Sequence, residues 1–74
     1  MQIKVKLFAT FRINRHKEMV LDLKQGTTPK EVIESLDIPV KEVAIIMING
    51  RHQKLDTILQ DSDTLALFPP VGGG

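Results

Sequence analysis

Apolar and basic residues alternate through "IKVKLFA" (Ile3–Ala9), the period of a strand with one wet face. Ile3, Val5 and Leu7 fall on one side, and Lys4, Lys6 and Phe8 on the other. "TFRINRH" (Thr10–His16) holds no such period and reads as a loop. Alternation resumes in "KEMVLDL" (Lys17–Leu23), a second strand returning antiparallel with Met19, Leu21 and Leu23 inward, until Gly26 breaks it. The period then changes. In "TPKEVIESL" (Thr28–Leu36) the residues Val32, Ile33 and Leu36 form a helical stripe. Thr28 is placed as N-cap, Pro29 sits at the first helical position where its missing N–H is harmless, and Glu31 can close a capping box. Ile38 precedes Pro39 and resists the helical region, so "DIP" ends the helix. "VAIIMI" (Val43–Ile48) is a third strand, and Asn49-Gly50 is a strong hairpin signal. "RHQKL" (Arg51–Leu55) returns as a short polar edge strand. Ile58 and Leu59 lead into a turn with Asp61 and Asp63, and "TLALF" (Thr64–Phe68) is the last strand, with Leu65 and Leu67 inward. Pro69 has no N–H for a ladder, so regular pairing should stop there.

A hairpin, a helix and further strands match an α+β β-grasp: a mixed sheet of four to five strands with one main helix packed on one face. In that arrangement the first and last strands lie parallel at the centre. Their residues facing away from the helix then share a surface: Lys4, Lys6 and Phe8 on one, Ala66 and Phe68 on the other. The third strand is apolar throughout, so one of its faces adds to this surface, with Ile45 and Met47 the expected members. An exposed apolar patch marks an interaction site. The opposing expectation is that one of the two phenylalanines folds under a loop.

Composition narrows the function classes. A chain of 74 residues buries about 60% of its unfolded surface and has room for one core. A carrier, adaptor or subunit suits that size better than an enzyme with its own cleft and lid. The net charge of +1 argues against a dedicated nucleic-acid binder. The charges are uneven, however. Lys4, Lys6, Arg12, Arg15, Lys17 and Lys24 face only Glu18 and Asp22 in the first third, which is either a solvated surface or a patch that steers an acidic partner. Without cysteine there are no disulfides or thiolate metal sites. Lys4 and Lys6 interrupt the first apolar residues, so no signal peptide is expected, and "VAIIMI" is too short to span a bilayer. The expectation is a cytoplasmic protein, monomeric when free, with no nucleic-acid or membrane partner. His16 and His52 have no ligand spacing around them, Asp61 and Asp63 are explained by a turn, and no nucleophile–base motif is present. No metal site is expected, and the chain by itself is not expected to be an enzyme.

The remaining feature is "LFPPVGGG" (Leu67–Gly74). Residues 1–68 read as the folded domain and 69–74 as a flexible tail. Pro69 and Pro70 hold the backbone extended, and with Val71 they aim the chain off the sheet. Gly72, Gly73 and Gly74 lack Cβ, so their backbone can enter a channel closed to any other residue. A carboxylate on Gly74 is ionised at neutral pH and is a poor electrophile until activated, for example as a mixed anhydride with AMP. A frayed end is the other account of such glycines.

Three segments, taken together, resemble the ThiS/MoaD family of ubiquitin-like sulfur carriers over the whole chain. "FPPVGGG" (Phe68–Gly74) and "FATFR" (Phe8–Arg12) are similar to segments of its molybdopterin synthase small-subunit branch. "DSDTLALF" (Asp61–Phe68) is similar to the family's Asp-Gly-Asp turn into the last strand, with Ser62 in place of glycine, a departure expected to cost little. The resemblance implies that an E1-like enzyme, using ATP and Mg²⁺, adenylates Gly74, and that a sulfur donor protein converts the adenylate to a thiocarboxylate. It implies insertion of Pro69, Pro70, Val71, Gly72 and Gly73 into a partner, with Phe8, Phe68, Met47 and Arg12 docking it. The partner would be the large subunit of molybdopterin synthase, in molybdenum or tungsten cofactor synthesis, or else a thiazole synthase in thiamin synthesis. No cofactor would be bound by this chain alone. Two further readings stay open: a protein modifier forming isopeptides through the same tail, and a binding module with an inert tail.

Overall fold

The computed structural model describes residues 1–70, and in them the alternating segments pair into one five-stranded sheet. Strands β1 (Gln2–Leu7), β2 (Glu18–Asp22), β3 (Ile45–Ile48), β4 (Arg51–His52) and β5 (Thr64–Phe68) stand in the order β2-β1-β5-β3-β4. The terminal strands β1 and β5 are parallel neighbours, from Lys4 opposite Thr64 to Leu7 opposite Leu67. The other three pairings are antiparallel. The sheet's inner face carries Ile3, Val5, Leu7, Leu65 and Leu67, all at 0% exposure. Burying each such side chain is worth about 1.5–3 kcal/mol, so the central pair is the strongest part of the core.

Helix α1 (Pro29–Ser35) covers that face with Pro29, Val32 and Ile33. Its start is the expected capping box: Thr28 Oγ1 accepts from the Glu31 N–H at 3.4 Å, and the Thr28 N–H donates to Glu31 Oε1 at 3.2 Å. Its end is set one residue before the predicted stop. Asp37 takes a left-handed φ of +58°, and the Ile38 N–H reaches the Ile33 carbonyl at 3.2 Å while its side chain enters the core. Arg15 donates weakly to the last carbonyls, Leu36 O at 3.4 Å and Asp37 O at 3.3 Å, a favourable place for a cation. The segment after β4 straps the helix start, with Lys30 N–H bonded to Leu55 O, Leu59 N–H bonded to Thr27 O, and Leu59 buried.

Three further elements depart from the sequence reading by two residues or more. β1 ends at Leu7, because Ala9 turns left-handed at φ +52° and a short 3-10 turn, Ala9–Arg12, follows. That turn puts Phe11 in the core at 6% exposure, where a loop was expected. β3 begins at Ile45, preceded by a second 3-10 turn at Val40–Glu42. β4 has two residues, not five, although the Gln53 N–H still bonds Ile46 O. At the hairpin, Asn49 and Gly50 both have positive φ, +53° and +80°, the geometry their order predicts.

Candidate functional site

The inward alternation of β1, β3 and β5 leaves their other side chains on the face without a helix. Across that face Lys6 stands beside Ala66, and Ala66 beside Met47; one step toward the strand ends, Phe68 stands opposite Ile45. Ile45, Met47, Ala66, Phe68 and Phe8 are all half-buried, so they form a continuous apolar strip as expected. The strip lies at the C-terminal ends of β1 and β5.

The two aromatic rings stack on each other, with centroids 4.3 Å apart and planes within 13°. Each ring therefore shields the other, and neither is buried by a loop nor fully exposed. Arg12 completes the group. Its Nε donates to the Leu7 carbonyl at 2.7 Å, which holds the guanidinium 5.2 Å from the Phe8 ring centroid, within cation–π range. The 3-10 turn makes this possible: it buries Phe11 and returns Arg12 over the end of its own strand. Phe8, Phe68 and Arg12 are thus brought to one end of one face, and Met47 lies on the same face farther from that end, beside Ala66. The chain leaves from the same end. Pro69 is buried and Pro70 exposed, so the first proline still belongs to the packed body. Val71, Gly72, Gly73 and Gly74, and with them the carboxylate chemistry and tail geometry, lie outside the described residues.

Asp61 and Asp63 are occupied in holding the turn before β5. Asp61 Oδ1 accepts from Gln2 N–H at 2.8 Å. Asp63 accepts from Asn49 Nδ2 and from Gln60 N–H, both at 2.8 Å, and Asn49 Oδ1 in turn accepts from Thr64 N–H. Neither carboxylate is presented as an acid–base partner. Ser62 between them has φ +71°, so the turn does demand the left-handed region and the serine is strained there, contrary to the small cost expected. His16 and His52 are exposed, on the loop before β2 and on β4. No helix among the described residues is long and apolar enough to cross a membrane.

Sequence reasoning missed the anchoring of Arg12 and the burial of Phe11, because both follow from the 3-10 turn at Ala9–Arg12, which no local pattern marks. It also left unplaced Ile13, which is 62% exposed, whereas Val20, at 60%, faces outward as the inward placing of Met19 and Leu21 requires.

A mixed sheet with a parallel central pair of terminal strands, one capped helix across its inner face and an apolar outer strip at the tail's exit defines a ubiquitin-like β-grasp protein of the ThiS/MoaD type. The chain belongs to the ThiS family, whose model matches residues 5–74. It is 28% identical over 80 residues to the molybdopterin synthase sulfur carrier subunit of Arabidopsis thaliana, covering 99% of this chain and 83% of that protein. Among solved structures, a Pyrococcus furiosus protein assigned as molybdopterin converting factor subunit 1 superposes with a TM-score of 0.74 at 30% identity, over 96% of this chain and 99% of that one. Small archaeal modifier protein 1 of Haloferax volcanii shares the fold, with a TM-score of 0.78 at 22% identity over 95% of this chain and 98% of that one.

Proposed function

We propose that this protein carries sulfur on the carboxylate of Gly74 for molybdopterin synthesis. The observation that carries the proposal is the span of the family match: it runs through residue 74 and so takes in the glycines. A carboxylate oxygen of Gly74 attacks the α-phosphorus of ATP on an activating enzyme, and pyrophosphate leaves. Sulfide attacks the acyl carbon of the adenylate; AMP leaves with the bonding pair, the added sulfur loses its proton, and a thiocarboxylate remains. The strip of Ile45, Met47, Ala66, Phe68 and Phe8, with Arg12, docks the enzymes that act on the tail. Similarity to two molybdopterin proteins favours that branch over thiamin synthesis, and makes a large synthase subunit the acceptor of the loaded tail. In this role the protein is a co-substrate and subunit, not a catalyst by itself.

Mass spectrometry tests the reading. Incubation with the activating enzyme, ATP, Mg²⁺ and sulfide is expected to raise the mass by the difference between one sulfur and one oxygen. An alanine appended after Gly74 is expected to abolish the gain while the circular dichroism spectrum stays unchanged; a gain that persists would overturn the terminal-carboxylate mechanism. Covalent adducts with other proteins in place of the thiocarboxylate would identify a modifier instead.

A further inference from the structure

Six cations run from Lys4 to Lys24, and two of them are engaged by an ion pair or a helix end. Lys4 pairs with Glu18 at 3.5 Å, and Arg15 reaches the end of α1. Three others, Lys6, Arg12 and Lys17, line one shallow cleft of about 200 Å³ together with Phe8 and Glu18. None of the three has an ion-pair partner among the described residues, and the only acid in the cleft is already bridged to Lys4. The cleft is therefore net positive. Arg12 uses Nε on the Leu7 carbonyl, and its two terminal amino groups have no hydrogen-bond partner among the described residues. A guanidinium fixed in this way presents a planar fork with little rotamer freedom left to lose.

We propose that this cleft docks an acidic segment of a partner protein, with one carboxylate on the free edge of Arg12, a second shared by Lys6 and Lys17, and an apolar residue against Phe8. Charge complementarity and continuity with the apolar strip select this occupant. A phosphate group would use the cations and leave the aromatic stack idle, and a net charge of +1 is too low for a nucleic acid. The proposal rests on the carrier reading only in that enzymes must approach the end from which the tail leaves. Its test needs no activating enzyme, so the two readings fail separately.

The intact chain, labelled with ¹⁵N, is titrated with the peptide acetyl-Glu-Leu-Glu-Glu-amide. The same titration is run with acetyl-Lys-Leu-Lys-Lys-amide and with inorganic phosphate. The acidic peptide is expected to shift the amides of Lys6, Phe8, Arg12 and Lys17 and the Arg12 Nε–H, and to weaken as salt rises. Arg12→Gln is expected to weaken binding about threefold to tenfold, and Arg12→Lys by less, because the charge stays and the fork goes. Lys6→Gln and Lys17→Gln remove no hydrogen bond of the fold and carry the test if Arg12→Gln unfolds. Shifts centred elsewhere, no shifts, equal shifts with phosphate, or indifference to the cation variants would overturn the proposal.

Discussion

At the scale of residues, left-handed backbone positions separate what the sequence announces from what it conceals. Asn49-Gly50 is read at sight because the pair is chosen for positive φ at both places. Ala9 and Ser62 take the same region with side chains that do not advertise it, and Asp37 is of a type that only tolerates it. Ala9 hid the end of β1 and so the turn that buries Phe11 and anchors Arg12. Ser62 is the position where relief is simplest. Ser62→Gly removes a Cβ penalty of about 1–2 kcal/mol and returns part of it through the greater freedom of the unfolded chain. A net gain of about 0.5–1 kcal/mol is expected in urea unfolding, with the slope unchanged. The N–H groups that hold Asp61 and Asp63 belong to the backbone of other residues, and the exchange should leave them in place.

At the scale of elements, what was legible followed from period and capping. Two-residue alternation named the inward residues of β1 and β5 correctly; β3 is apolar throughout, and its expected outward members, Ile45 and Met47, are the half-buried ones. Thr28, Pro29 and Glu31 marked the start of α1 because a helix N-terminus has orphan donors that only such residues satisfy. Thr28→Ala is expected to cost about 1 kcal/mol, which for a domain of this size lowers the thermal midpoint by about 4–8 °C. Glu31→Gln should keep most of the box and shift the midpoint less. β4 was read too long because polarity alone does not say where pairing ends; the register with β3 closes at Met47 opposite His52. α1 ends at the expected Asp37–Pro39 stretch, but the left-handed turn at Asp37 comes before the residue that Pro39 restricts, and Arg15 of a distant loop supplies a contact that no local pattern encodes.

At the scale of the molecule, the order β2-β1-β5-β3-β4 could be drawn from the sequence only through the overall pattern of elements, because the pairing of β1 with β5 joins segments about sixty residues apart. That pairing also fixes how the protein meets force. β5 is bonded on both sides, to β1 and to β3, and the body ends at the buried Pro69. β1 and β5 run the same way, so Met1 and Pro70 lie beyond opposite ends of the pair. Tension between them loads every bond of the ladder at once, in shear. Tension between Met1 and Lys24 meets β1 and β2 at one shared end, where Met1 bonds Leu23, and opens that ladder bond by bond. Single-molecule stretching is expected to find a higher unfolding force for the first pair of handles than for the second. Under the proposed function, an enzyme that draws the tail into a narrow channel hauls on the best-moored strand of the sheet, and the body is expected to be tugged and released without coming undone.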